Sequence, residues 1–205
     1  LLREKMGQID VPYAMRVLRD HGMDSDENWQ PGKGILGAEV CMHASFGPIR
    51  GSQTTGSMVS HITDDGDTHW VTGTAAPCTS IFKPVWIDAG LPEDEPAPTG
   101  TYDQSTRWWR HENLHREILR DYTTRITLLH SEDENLEEQF LQDADAMTSK
   151  STEKQRGFTK ACFDAVERAE AKALGTMQNL PIDHGRPLLD RLAWKRFDKD
   201  AQRFP

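Results

Sequence analysis

Residues 39–86 read EVCMHASFGPIRGSQTTGSMVSHITDDGDTHWVTGTAAPCTSIFKPVW. This is the one long stretch that alternates and turns like a sheet. Ser52–Ile62 begins with small and polar residues and then brings Met58, Val59 and Ile62. Thr63-Asp-Asp-Gly-Asp67 follows, and His69-Trp-Val-Thr-Gly-Thr74 resumes the extended pattern. The Asp65-Gly66 step supplies the residue at ease with positive φ that a tight hairpin needs. Ser52–Ile62 and His69–Ala75 are therefore expected to pair as antiparallel neighbours. Their Ser, Thr, Gln and Gly content is poor core material, so one face of the pair should be solvated or line a cleft.

Outward from this stretch the chain divides into unequal parts. Residues 1–37 are expected to give a helix and a loop, with Asp10 as N-cap, Pro12 in the first turn and His21-Gly22 closing the helix. Residues 38–87 form the sheet segment, and 88–104, rich in proline and acid, a surface connection. Residues 105–205 are helical, with three apolar stripes: Leu114, Ile118, Tyr122, Ile126 and Leu129; Leu136, Phe140, Leu141, Ala144 and Met147; Phe158, Cys162, Val166, Ala169 and Ala173. Strands first and helices afterwards indicate an α+β fold with the helices on one face of the sheet. The acids of 132–138 read as a solvated helix start, and the sequence beyond Pro181 gives no clear placement.

With 205 residues and a net charge of −9, the chain can bury a core but has no basic surplus for non-specific nucleic-acid binding. No apolar run approaches the roughly 20 residues of a membrane span. Three widely spaced cysteines, Cys41, Cys78 and Cys162, suit reduced thiols in a cytoplasmic protein better than a disulfide framework. Self-association is left open by the sequence.

Two short motifs match by letter. Gly32-Lys-Gly34-Ile-Leu-Gly37 has the GxGxxG spacing, but a polar loop precedes it and an expected strand follows, the reverse of what pyrophosphate binding needs. His111-Glu112-Asn-Leu-His115 matches HExxH on a helix, and a zinc peptidase built on His111, Glu112 and His115, with Glu134 or Glu137 as a further ligand, is one reading. Arg110 and Arg116 flank the pair and Leu114 belongs to an apolar stripe, so an amphipathic helix without metal is the expectation. Cys41 and His43 are two apart on an expected strand, which sets their backbones about 6–7 Å apart and disfavours a thiol–imidazole bond. Cys41 and Cys78 are accordingly read as buried structural thiols. Arg50, on a Gly-rich turn leading into a polar strand, is suited to a carboxylate.

Several of these segments together resemble the secernin-like cysteine dipeptidases of the N-terminal nucleophile (Ntn) hydrolase superfamily. They are VCMHA (40–44), GPIR (47–50), SQTTGS (52–57), HWVTGT (69–74), APCTSIFKPV (76–85), WWRHE (108–112) with LHR (114–116), and LRDH (18–21). The resemblance implies part of an αββα sandwich and a cysteine hydrolase of dipeptides or similar short amides that uses no cofactor or metal. That family's nucleophile is a cysteine at the mature N-terminus, with its own α-amine as base. Leu1 cannot take that role, so the resemblance implies a C-terminal portion, with the nucleophile in a missing N-terminal half and no catalytic residue here. Arg50, Gln53, Thr54, Thr55, Thr72 and Thr74 are the candidate substrate-binding residues, chosen for polarity and strand position. Secernins are also linked to exocytosis, so a non-catalytic binding protein is the competing reading.

Overall fold

Asp10 starts the first helix, as its place before Pro12 predicts. Its carboxylate accepts from the Tyr13 amide at 2.7 Å, and α1 runs Val11–Leu18. The computed structural model describes residues 3–22, 29–32, 39–47, 50–91, 96–133 and 135–203. Lys33–Ala38 lie outside them, and so does most of the GxGxxG match. Gly32 itself has φ +85°, and a Cβ there would fall 2.5 Å from Asp190 Oδ1. Close packing by a distant carboxylate accounts for this glycine.

The hairpin forms where the Asp-Gly step places it. Strands β1 (Met58–His61) and β2 (Thr68–Val71) pair antiparallel, with Val59 opposite Trp70. Gly66 takes φ +133° in the connection. A third strand, β3 (Lys83–Val85), pairs antiparallel on the other side of β2. The sheet is three-stranded in the order β1-β2-β3, so the fold is α+β. Both strands are shorter than the sequence pattern suggests, because Ser52–Ser57 and Thr72–Ala75 run outside the ladder. Val59 and Trp70 are buried beneath the helices, while Met58 on the opposite face of β1 is exposed.

The three apolar stripes become four helices: α2 (Arg107–Leu119), α3 (Tyr122–Asp133), α4 (Leu136–Thr148) and α5 (Thr152–Met177). The first stripe is split at Arg120-Asp121. Asp121 is buried, and its carboxylate accepts from the amides of Asp183 and His184 at 2.9 and 3.1 Å. A helix break there points this carboxylate at a later loop. The 26-residue α5 carries buried Cys162, Val166, Ala173 and Met177 and separates two cores. One joins Met15, Val59, Trp70, Phe82, Trp86, Phe140 and Val166. The other joins Cys41, Cys78, Leu114, Ile118, Tyr122, Leu129, Met177 and Trp194.

Two expectations are corrected. Residues 39–47 are not a strand. Their backbone bonds are divided among Asp20, Thr54 and Arg50 (Cys41 N to Asp20 O 3.0 Å, Thr54 N to Met42 O 2.9 Å, Ser45 N to Arg50 O 2.8 Å), so no continuous ladder forms. The acids around α4 are more than a solvated start. Glu137 binds Arg19 through both carboxylate oxygens, at 2.8 and 2.6 Å, and accepts from Phe82 N at 2.8 Å. The late sequence forms α6 (Leu188–Asp200), whose Trp194 is 2% exposed. Among the described residues no helix is long and apolar enough to cross a membrane.

Candidate functional site

Four side chains from three segments converge where α1 ends. The Cys41 amide bonds Asp20 O, which brings Cys41 beside His21. Arg19, the C-cap of α1, donates to the carbonyls of Pro77 and Ser80 at 3.0 and 2.8 Å. That clamps the 3-10 turn Pro77–Thr79, and with it Cys78, against the same spot. His43 completes the set: one donor atom each from His21, Cys41, His43 and Cys78 lie within 4.8 Å of one another.

The strand reading had set Cys41 and His43 apart. Without a strand, their Sγ and Nε2 atoms approach to 3.9 Å, and Cys78 Sγ lies 3.2 Å from the same nitrogen. The thiols are buried, as expected, but among imidazoles instead of apolar side chains. Sulfur also receives donors: the Cys78 amide points at Cys41 Sγ (3.4 Å) and the Tyr122 hydroxyl at Cys78 Sγ (3.5 Å). Burial pushes the Cys78 thiol up, yet its interactions with Cys41 and with the His43 and His21 imidazoles outweigh it and hold it well below the ordinary thiol value. The Cys41 thiol is raised, by its hydrogen bond with Cys78 and by burial.

Behind His43 lies a relay whose proton positions follow from bonding rules. Glu112 is buried, and burial alone would favour its neutral form. His115 and Arg116 overcome this and lower its carboxyl to about 2. Glu112 accepts from Arg116 Nε at 2.7 Å and from Gln53 Nε2 at 3.2 Å. A carboxylate only accepts, so His115 Nδ1, at 3.2 Å, carries the proton of that bond. Burial lowers the pKa of His115, so its Nε2 is bare. That nitrogen accepts from His43 Nδ1 at 3.2 Å, which leaves the His43 Nε2 lone pair facing the two sulfurs and His21.

The HExxH pair does not act as a unit. His111 turns the other way, with Nδ1 at 2.8 Å from Glu170 and Nε2 at 3.2 Å from Ser80 Oγ. This Ser80–His111–Glu170 order matches a hydrolase relay. However, Ser80 Oγ also lies 3.0 Å from Ala76 O and 2.9 Å from Thr74 Oγ1, and the hydroxyl is buried. Its hydrogen-bonding capacity is taken up inside the protein.

The candidate substrate-binding residues separate. Gln53 and Thr55 line a cavity of about 390 Å³, together with Trp109, Glu112, Arg116 and Trp194. Thr72 and Thr74 line a different cavity, of about 430 Å³, and Trp108 borders both. Thr72 and Thr74 are themselves buried: Thr72 Oγ1 accepts from the Ser57 amide at 2.9 Å, and Thr74 is held in the Ser80 network. Thr54 braces the loop before it, donating to Val40 O at 2.9 Å and accepting from Met42 N at 3.1 Å. Arg50 is 1% exposed, pairs with Glu39 at 2.7 Å and lines neither cavity. Its guanidinium is turned inward to the Glu39 carboxylate, where the sequence reading had expected it to face a substrate carboxylate. The sequence missed His21, Glu112 and His115 as partners of the thiols, although each lies in a segment that carries the family resemblance.

No protein-family model, no curated protein and no solved structure matches this chain.

Proposed function

We propose that this chain forms the substrate-binding portion of a cysteine hydrolase that cleaves dipeptides or similar short amides, with the nucleophilic cysteine outside these 205 residues. The observation that carries the reading is the cavity around Gln53. Its volume of about 390 Å³ falls in the range of about 300–1,000 Å³ usual for small-ligand sites. Apolar walls from Trp109 and Trp194 surround polar groups that are already fixed. Arg116 lies over both indole rings, at 5.3 and 5.1 Å, while bonding Glu112 and Asp198. Gln53 gives its amide N–H to Glu112, and its Oε1 has no hydrogen-bond partner among the described residues. A buried acceptor without a donor is costly, and a peptide N–H is a fitting donor.

In this reading the chain supplies orientation and charge, and the attack comes from the N-terminal cysteine that the family resemblance implies. Cys162 is no candidate nucleophile, since burial pushes its thiol up to about 12. The test is to express the complete reading frame with the residues encoded upstream of Leu1 and to assay a dipeptide panel. Turnover should vanish when the upstream cysteine is replaced and fall by about tenfold in Gln53→Ala, the loss of one well-made hydrogen bond. Turnover by the 205-residue chain alone, or a complete protein that binds but never cleaves, overturns the proposal. The second outcome would instead support a binding protein.

A further inference from the structure

We propose that His21, Cys41, His43 and Cys78 form a four-coordinate site for Zn²⁺. This inference is independent of the hydrolase reading and departs from the expectation of no metal, which rested on the surroundings of the HExxH pair and on the family resemblance.

Hydrogen bonding alone does not explain the cluster. His43 Nε2 faces His21 Nε2 at 3.3 Å, Cys78 Sγ at 3.2 Å and Cys41 Sγ at 3.9 Å. The relay through His115 to Glu112 puts the proton of His43 on Nδ1. One lone pair on Nε2 cannot bond three neighbours that are themselves acceptors or weak donors. Lone pairs converging on one point are the arrangement a cation requires.

The spacings fit one ion in particular. Zinc bound at about 2.0–2.1 Å to nitrogen and about 2.3 Å to sulfur makes a tetrahedron with edges of about 3.3 Å N to N and about 3.6 Å N to S. The N–N edge is 3.3 Å, the two N–S edges from His43, 3.2 and 3.9 Å, bracket the expected value, and all four donor atoms lie within 4.8 Å of one another. Two thiolates and two imidazoles in a tetrahedron select zinc over the hard cations. The surroundings supply what such ligands need. His43 is oriented through a second imidazole to a carboxylate, the usual outer support of a metal-bound histidine. The Cys78 amide and the Tyr122 hydroxyl are placed to donate to the sulfurs. His21 stacks on Trp29 with ring centroids 4.0 Å apart.

All four positions of the tetrahedron are taken by protein, so the site is structural and leaves no vacancy for substrate. It joins the end of α1, the loop at 41–43 and the turn at 77–79, three segments without strand or long-helix support. Zn²⁺ takes both sulfurs as thiolates, and the proton that Cys41 carries in the metal-free protein goes to solvent.

The full chain, purified under reducing conditions, should hold one equivalent of zinc by elemental analysis. Mercurial modification of the thiols should release it, and a strong chelator should lower the melting temperature. Titration with Co²⁺ should give the intense visible bands of a tetrahedral site together with thiolate-to-cobalt charge transfer. Cys41→Ser and Cys78→Ser should each weaken binding at least tenfold, and His111→Gln should retain it. The Co²⁺ spectrum of the unaltered chain keeps the test decisive if the serine variants fail to fold. Reduced, folded protein that binds neither Zn²⁺ nor Co²⁺ overturns the inference. So does a cobalt spectrum without thiolate charge transfer, or metal retained by the Cys41→Ser/Cys78→Ser double variant.

Discussion

Trp194 donates its indole N–H to the carbonyl of Ala44 at 3.0 Å, joining residues 150 positions apart. Ala44 directly follows His43, so the last helix fastens the loop that carries two of the four clustered side chains. The same indole lies 5.7 Å from the His115 ring, edge to face.

Replacing Trp194 should separate its two contributions. Trp194→Phe keeps most of the apolar contact and loses the hydrogen bond, at a cost of about 1 kcal/mol. Trp194→Ala also opens a cavity beneath α6 and should cost about 3–5 kcal/mol. Urea denaturation of both variants measures the difference. Equal losses would mean that the indole N–H carries the whole effect.

Arg50 should behave as a structural residue. It and Glu39 are both mostly sheltered, and removing one partner of a buried pair strands the other charge. Arg50→Ala is expected to lose about 3–5 kcal/mol of stability. In an active complete protein, its residual folded fraction should keep an unchanged KM for dipeptides. A KM effect without loss of stability would return Arg50 to the substrate.

Acid should unfold the chain through Glu112. Its carboxyl is lowered from 4.5 to about 2 in the fold, because His115 and Arg116 outweigh the burial that would raise it. A lowered carboxyl contributes stability that is present above about pH 4.5 and lost as pH falls toward 2. The contribution is about 3 kcal/mol at neutral pH. Glu112→Gln should lower stability at pH 7 and flatten this acid limb, which denaturation followed from pH 7 to 2 would show.

Lys83 should add a second rise of stability with pH, in the alkaline range. It is buried in β3, its Nζ donates to Ile81 O at 2.7 Å, and burial lowers its ammonium to about 8 from 10.5. Between those values the unfolded chain holds the proton and the fold does not, so stability rises with pH across that interval. Lys83→Met should remove the rise and be neutral or stabilising at pH 7. Melting curves at pH 7, 8, 9 and 10 test both parts.

The local signals in the sequence carried the hairpin, the first helix cap and the apolar stripes, since each depends on neighbours a few residues apart. The split between α2 and α3 was invisible, because Asp121 breaks the helix to meet amides at 183 and 184. Alternation suggested a strand through Cys41 and His43, whereas the backbone partners that decide the matter lie at Asp20, Arg50 and Thr54. The clustered residues were hidden for the same reason. Positions 21, 41, 43 and 78 follow no familiar ligand spacing, and they meet only because Arg19 clamps the turn at Cys78 from the end of α1. Gln53 and Thr55, which polarity singled out, line a cavity. It could not distinguish them from Thr72, whose hydroxyl is occupied by the Ser57 amide.

The seal over this cluster is made last. Cys41 and Cys78 leave the ribosome well before Trp194, and at about 5–20 residues per second the interval is on the order of ten seconds. During that time the loop beside His43 lacks the indole that fastens it to α6. The thiols are then open to whatever the compartment offers, oxidant or metal. The order of synthesis thus gives a chemical window that the finished protein closes.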